Sequence, residues 1–161
     1  MHMHTFLRAR TLGLIAALSC LGGTAVADGG GRFATQNGPF QAECGSCHVA
    51  YPPALLPASS WQRLLGNLPQ HFGTDASLDA ATLAQVRSFI QDNAGSYRRV
   101  REAPPQDRIT RSDWFLRKHR EGEVPAEVWK RASVKSPANC AACHRGAAQG
   151  EYDEHAVRIP R

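Results

Sequence analysis

Two short cysteine–histidine units constrain this chain more than any other feature. They are Cys44-Gly45-Ser46-Cys47-His48 and Cys140-Ala141-Ala142-Cys143-His144. In each, two thiols are separated by two residues and an imidazole follows at once. Residues three apart are neighbours on a helix surface, so both thiols can reach one edge of a planar ligand. The next side chain is then free to turn toward the ligand's centre. Small residues between the cysteines let the backbone press close. This spacing is the attachment signature of c-type haem, with thioether bonds to the cysteines and the histidine as proximal iron ligand. Two units predict two covalently attached haem c groups. Two disulfides have no use for the histidines. A thioredoxin-like dithiol or a four-sulfur zinc ribbon uses the same Cys spacing, but neither requires a histidine directly after both pairs.

The iron atoms need further ligands. Met1 and Met3 are the only methionines of the 161 residues. Both fall in a segment that reads as an export signal: Arg8 and Arg10, an apolar run from Leu12 to Leu21, and Ala25-Val26-Ala27 as a cleavage site before Asp28. Residues 1–27 are therefore expected to be removed, Cys20 with them, and the run is too short to span a bilayer comfortably. The expected location is the periplasm, without stable membrane insertion. The mature chain then holds no methionine, which excludes His/Met ligation. His71, His119 and His155 remain as candidate sixth ligands. His71 follows the first unit and neighbours Phe72. His119 precedes the second unit and lies near Trp114 and Phe115. His155 sits in an acidic tail beside Glu154. An amine ligand or an open iron site are the other outcomes.

The expected fold class is mainly α with much loop, organised as two small haem-binding domains over 28–97 and 98–161. A helix is expected from Phe40 into the first motif. Pro52, Pro53 and Pro57 then favour an extended path. Ser59 or Ser60 caps a helix bearing Trp61, Leu64, Leu65 and Leu68, stopped by His71-Phe72-Gly73. Ser77 caps another, with Leu83, Val86 and Ile90 at helical spacing and fraying near Asn93–Ser96. Arg98, Arg99, Arg101, Pro104 and Pro105 read as an exposed connector. Ser112 caps a short helix with Trp114, Phe115 and His119. Pro125 opens one with Val128 and Trp129, and Ser136-Pro137 opens a third carrying the second motif. The three tryptophans are expected to pack around haem rather than to relay electrons. Each half holds only roughly 65 residues, a size that buries too little surface to be comfortable alone, so haem is expected to act as nucleus and staple.

The segments around these motifs carry a resemblance. Glu43 through His48, Tyr51-Pro52-Pro53, Leu56-Pro57, Ser60-Trp61, His71-Phe72-Gly73, Lys135 through His144 and Val157 through Pro160 are similar to the dihaem cytochrome c family, small periplasmic proteins of proteobacteria. The resemblance implies a bis-histidine, low-potential electron carrier rather than an enzyme. Its N-terminal domain would resemble a class I cytochrome c and its C-terminal domain would be less regular. It favours His119 over His155. It also implies a membrane cytochrome b and a soluble monohaem cytochrome c as redox partners. The competing class is a haem enzyme or a gas or redox sensor with one open iron site.

Charge bears on partners. Arg98 to Arg120 holds eight basic and three acidic residues, whereas Asp28 to Tyr97 holds three basic and five acidic, so a basic face for an acidic partner is one reading. Arginines that neutralise haem propionates or face water are the other. No nucleic-acid motif accompanies the charge, and the chain is expected to act as a monomer without nucleic acid.

Overall fold

The computed structural model describes residues 31–161; the expected signal over 1–27 lies outside the described residues. The described residues form four α-helices and a set of short 3-10 turns, with only two isolated β-bridges, Arg32 with Glu151 and His71 with Thr74. No helix among the described residues is long and apolar enough to cross a membrane.

The helix into the first motif, α1 (Gly38–Cys44), starts where Asn37 accepts a hydrogen bond from the Phe40 N–H at 3.1 Å, with Pro39 in its first turn. It stops at Cys44, so only the first thiol is helical. The next helix, α2 (Ala58–Gly66), begins two or three residues earlier than a Ser59 or Ser60 cap requires. Pro57 occupies the capping position and its carbonyl accepts the N–H groups of Ser60 and Trp61. Ser60 is thus a buried first-turn residue. Proline fixes φ near the value a helix entry needs, which makes a serine cap dispensable.

The chain leaves α2 at Gly66 and makes a separate 3-10 turn over Leu68–Gln70 before His71. Gly73 is left-handed, φ +95, as expected, but it closes the His71–Thr74 turn and does not end the helix. The third helix, α3 (Ala80–Asn93), is capped by Asp79, which accepts from the N–H groups of Ala81 and Thr82. Ser77, the expected cap, instead donates its N–H and hydroxyl to Asp75. The helix α4 (Asp113–Lys118) follows Ser112, whose hydroxyl donates backward to the Ile109 carbonyl. His119 is its C-terminal boundary residue.

The remaining expected helices are shorter than the reading allowed. Ala126–Lys130 is a 3-10 turn, and the second motif holds only the turn Cys140–Ala142. Side chains compete with the backbone there. Asn139 donates to the Val134 carbonyl and Ser136 accepts from the Ala138 N–H, while Lys135 is left-handed at φ +69.

One apolar cluster underlies these elements. Phe40 from α1, Leu55 and Leu56 from the proline-rich stretch, Trp61 and Leu65 from α2, and Val86 and Ile90 from α3 pack with Ile109, Trp114 and Phe115. The core is therefore continuous across residues 97 and 98. The amino-terminal segment also crosses to the far end of the chain. Phe33 N–H donates to the Gly150 carbonyl, and Thr35 and Gln41 both donate to the Ala148 carbonyl.

Candidate haem sites

The four imidazoles singled out by the sequence stand in two facing pairs. His48 and His71 have ring centres 6.3 Å apart, and His119 and His144 have theirs 6.2 Å apart. Both pairings lie within one half of the chain. A metal ion bonded to one nitrogen of each ring at about 2 Å separates two such centres by roughly 6 Å. Each pair thus leaves a gap of the right width for one iron atom; Cys140 and Cys143 share a cavity with the second pair, and Cys44 and Cys47 precede His48 in the chain. His155 sits elsewhere, exposed in the turn Glu154–Ala156 with its N–H on Asp153.

The rings are oriented by their neighbours. Nδ1 of His48 lies 2.8 Å from the Val49 carbonyl, and Nδ1 of His119 lies 3.0 Å from the Phe115 carbonyl. A carbonyl can only accept, so Nδ1 carries the proton in both and Nε2 is left with its lone pair free for a metal. The distal ring of the second site is placed by α4: Phe115 and His119 are one helical turn apart, and their rings stack at 4.0 Å. Tyr51 stacks on His48 at 4.6 Å, and its hydroxyl donates to the Ala138 carbonyl at 2.7 Å, two residues before Cys140. Tyr152 packs on His144 at 5.1 Å.

Burial holds the imidazoles in their ligand form. The pKa of His71 is lowered by burial, then by repulsion from His48 and Arg108. His119 is lowered by burial and Lys118, partly opposed by its bond to Phe115, and His144 is lowered by burial and His119. Neutral imidazole is the form that binds metal. The thiols are pushed the other way. Burial, with the Glu43 charge adding to it, raises Cys44 to about 11, and burial raises Cys140 to about 11. Cys143 is raised by burial as well. A redox-active dithiol needs lowered thiol pKa values, so these protonated, unpaired thiols do not suit that chemistry. Among the described residues, no three His, Cys, Asp or Glu side chains converge as a zinc site requires.

The second pair opens onto a cavity of about 450 Å³, lined by Phe115, His119, Trp129, Cys140, Cys143 and His144 among others. That is a cofactor-sized volume. Tyr152 is on its wall, and the hydroxyl is buried without a hydrogen-bond partner in the protein; Nδ1 of His71 in the first site is in the same position. Buried polar atoms are rarely left unpaired. A haem fits the second site: it would fill the apolar space and bring acceptor groups toward the Tyr152 hydroxyl. Spacing marks His48 and His144 in the sequence; the lack of methionine after residue 27 leaves His71, His119 and His155 as candidates, and the family resemblance favours His119. In the sequence Phe115 reads as an aromatic neighbour only, although its place one turn before His119 was a usable signal. Nothing in the sequence marked Tyr152, which reaches His144 through the fold of the tail.

The chain matches the family model described as dihaem cytochrome c over residues 40–152. It is similar to the dihaem cytochrome c from Rhodobacter sphaeroides, at 41% identity over 74% of this chain and 99% of that one, with a TM-score of 0.66. A further structure, of DHC purified from the same organism, is 42% identical over 74% of this chain and all of that one, with a TM-score of 0.64. The dihaem cytochrome type c from Shewanella baltica OS155 is 38% identical over 79% of this chain and 95% of that one, with a TM-score of 0.66. Curated proteins return no match.

Proposed function

The chain belongs to the dihaem cytochrome c family and carries two covalently attached haem c groups, and on that footing we propose that it is a low-potential periplasmic electron carrier and not an enzyme. The observation that carries the reading is the pair of facing imidazoles beside each CxxC unit, at 6.3 and 6.2 Å. Cys44 and Cys47 would hold one haem, between His48 and His71. Cys140 and Cys143 would hold the other, between His144 and His119. A haem iron held by these imidazoles would supply one-electron chemistry, and imidazole in place of a thioether would lower its potential.

The protein's residues do the rest. Val49 and Phe115 carbonyls fix the tautomers of His48 and His119. Burial keeps His71, His119 and His144 neutral. Trp114, Phe115 and Trp129 line the second cavity, where they would pack on haem, whereas Trp61 lies in the apolar core and not on that cavity. With His48 and His71 holding one iron and His119 and His144 the other, neither site would keep a position for a substrate, which argues against an enzyme or an open-site sensor. Arg117 and Arg120 also line the cavity and suit the acidic edge of a haem, and the basic run from Arg98 to Arg120 would steer an acidic redox partner. A membrane cytochrome b and a soluble monohaem cytochrome c are the partners proposed, from the family resemblance. Export rests on the layout of residues 1–27.

The test is the spin state of the haem-loaded protein. The wild type should be fully low-spin when oxidised, and its ferrous spectrum should not change with carbon monoxide. His71→Ala and His119→Ala should each convert one iron of the two to high spin, while His155→Ala should convert none. High-spin iron in the wild type, or conversion by His155→Ala alone, would overturn the assignment.

A further inference from the structure

The two facing pairs share a separation but not an angle. His48 and His71 lie 24° from parallel, whereas His119 and His144 cross at 67°. In each pair an aromatic residue lies flat against one imidazole. Tyr51 is within 14° of the His48 plane, and Phe115 is within 16° of the His119 plane.

Both aromatic rings are themselves pinned. The Tyr51 hydroxyl is bonded to the Ala138 carbonyl at 2.7 Å, so the ring is tied at its far end. Phe115 is buried in α4 and meets Trp114 edge-on at 5.9 Å. It holds His119 twice, by ring stacking and through its own carbonyl at 3.0 Å. The imidazoles therefore have no free choice of plane.

We propose that Tyr51 and Phe115 are positioning residues that set the planes of His48 and His119, near parallel to the partner ring in the first site and crossed in the second, so that the two irons are electronically different. The proposal rests on the bis-imidazole reading given above. Each imidazole has filled π orbitals standing perpendicular to its ring, and these overlap one of the two dπ orbitals of the iron. Parallel rings raise the same iron orbital and split the pair widely. Crossed rings raise one orbital each and leave the pair nearly degenerate. A low-spin ferric ion with a wide splitting gives an ordinary rhombic magnetic signature, while near-degeneracy retains orbital momentum and gives a strongly anisotropic one. The same chain would thus hold two chemically identical ligand sets in two electronic states.

Electron paramagnetic resonance of the oxidised, haem-loaded protein at cryogenic temperature tests this. Two low-spin signals of equal weight are expected, one rhombic and one strongly anisotropic with its largest g-value well above the other's. Two matching signals of either kind would overturn the proposal and leave the bis-imidazole reading intact. A dominant high-spin signal would overturn that reading itself. Phe115→Leu should move only the strongly anisotropic signal, and Tyr51→Leu only the rhombic one; a variant that moves both signals or neither overturns the role given to its ring. Tyr51→Phe keeps the stacked ring but frees its far end, so the rhombic signal should move only slightly, and loss of the rhombic signal in this variant would count against stacking as the cause. If the leucine variants fail to fold, the wild-type and Tyr51→Phe spectra still decide.

Discussion

Two indoles hold the proline-rich stretch in place. Trp61 Nε1–H donates to the Pro53 carbonyl at 2.9 Å, and Trp114 Nε1–H donates to the Leu55 carbonyl at 3.2 Å. Between them Pro52, Pro53, Ala54, Leu55 and Leu56 are all buried. The two bonds differ in what stands behind them, because the Pro53 carbonyl also accepts the Gly95 N–H. Trp114→Phe should therefore cost about 1–3 kcal/mol of stability and Trp61→Phe nearer about 1 kcal/mol, since the Pro53 carbonyl keeps the Gly95 N–H when its indole donor is lost. Chemical denaturation of the haem-loaded variants measures both. At this scale the sequence was a good guide to chemistry and a poor one to support. The cysteines and their following histidines declare themselves by spacing, whereas the lack of methionine narrows the sixth ligands only to His71, His119 and His155, and the family resemblance is what favours His119. The contacts of Tyr51 with Ala138 and of Tyr152 with His144 join residues far apart in sequence, and no local pattern encodes them.

Elements with a regular apolar period were legible, and those without one were not. The helices α2 and α3 put Trp61, Leu65, Val86 and Ile90 inward as their spacing requires. Their starts were missed by a residue or a few, because Pro57 and Asp79 take the capping positions that nearby serines could have filled. The turn carrying Cys140 has no period to read; it is shaped by the Asn139, Ser136 and Lys135 backbone and side-chain geometry. The cap that matters most for the first motif is Asn37, since α1 ends on Cys44. Asn37→Ala should lower stability by about 1 kcal/mol, the usual loss for such a cap, and hydrogen exchange should show the loss first in the amides of α1. Unchanged stability and unchanged α1 protection would mean that haem attachment, not the cap, holds the helix.

Taken whole, the molecule is stitched across the 97/98 boundary that composition suggested. Ile109, Trp114 and Phe115 enter the same cluster as Phe40, Val86 and Ile90, and the connector is tied back to α2 by Arg63, which donates to both carboxylate oxygens of Asp107, at 2.9 and 2.6 Å. A composition shift marks where charge accumulates, but it carries no information on where apolar side chains from the two sides meet. The tether also gives a pH signature. The Asp107 carboxyl is held below the usual carboxylate range, chiefly by its hydrogen bond from Arg63. A carboxyl with a depressed folded pKa stabilises above its unfolded pKa of about 3.9, and this is lost as pH falls through the folded value. Asp107→Asn should accordingly lower the melting temperature slightly at pH 7, and the gap from wild type should close as both are melted below about pH 4. A gap that persists unchanged into acid would mean that the asparagine acts through shape and not charge.

The strap that joins residues 32–41 to residues 147–151 bears on what counts as an intact copy of this protein. A shortened gene product ending at Gly146 would keep both CxxCH units, His71 and His119, and a scan for haem motifs would pass it as whole. It would nevertheless lack the Ala148 and Gly150 carbonyls that anchor Thr35, Gln41 and Phe33, and the Tyr152 ring beside His144. In this protein a late nonsense mutation is thus also a lesion at residues 32–41, more than a hundred positions upstream.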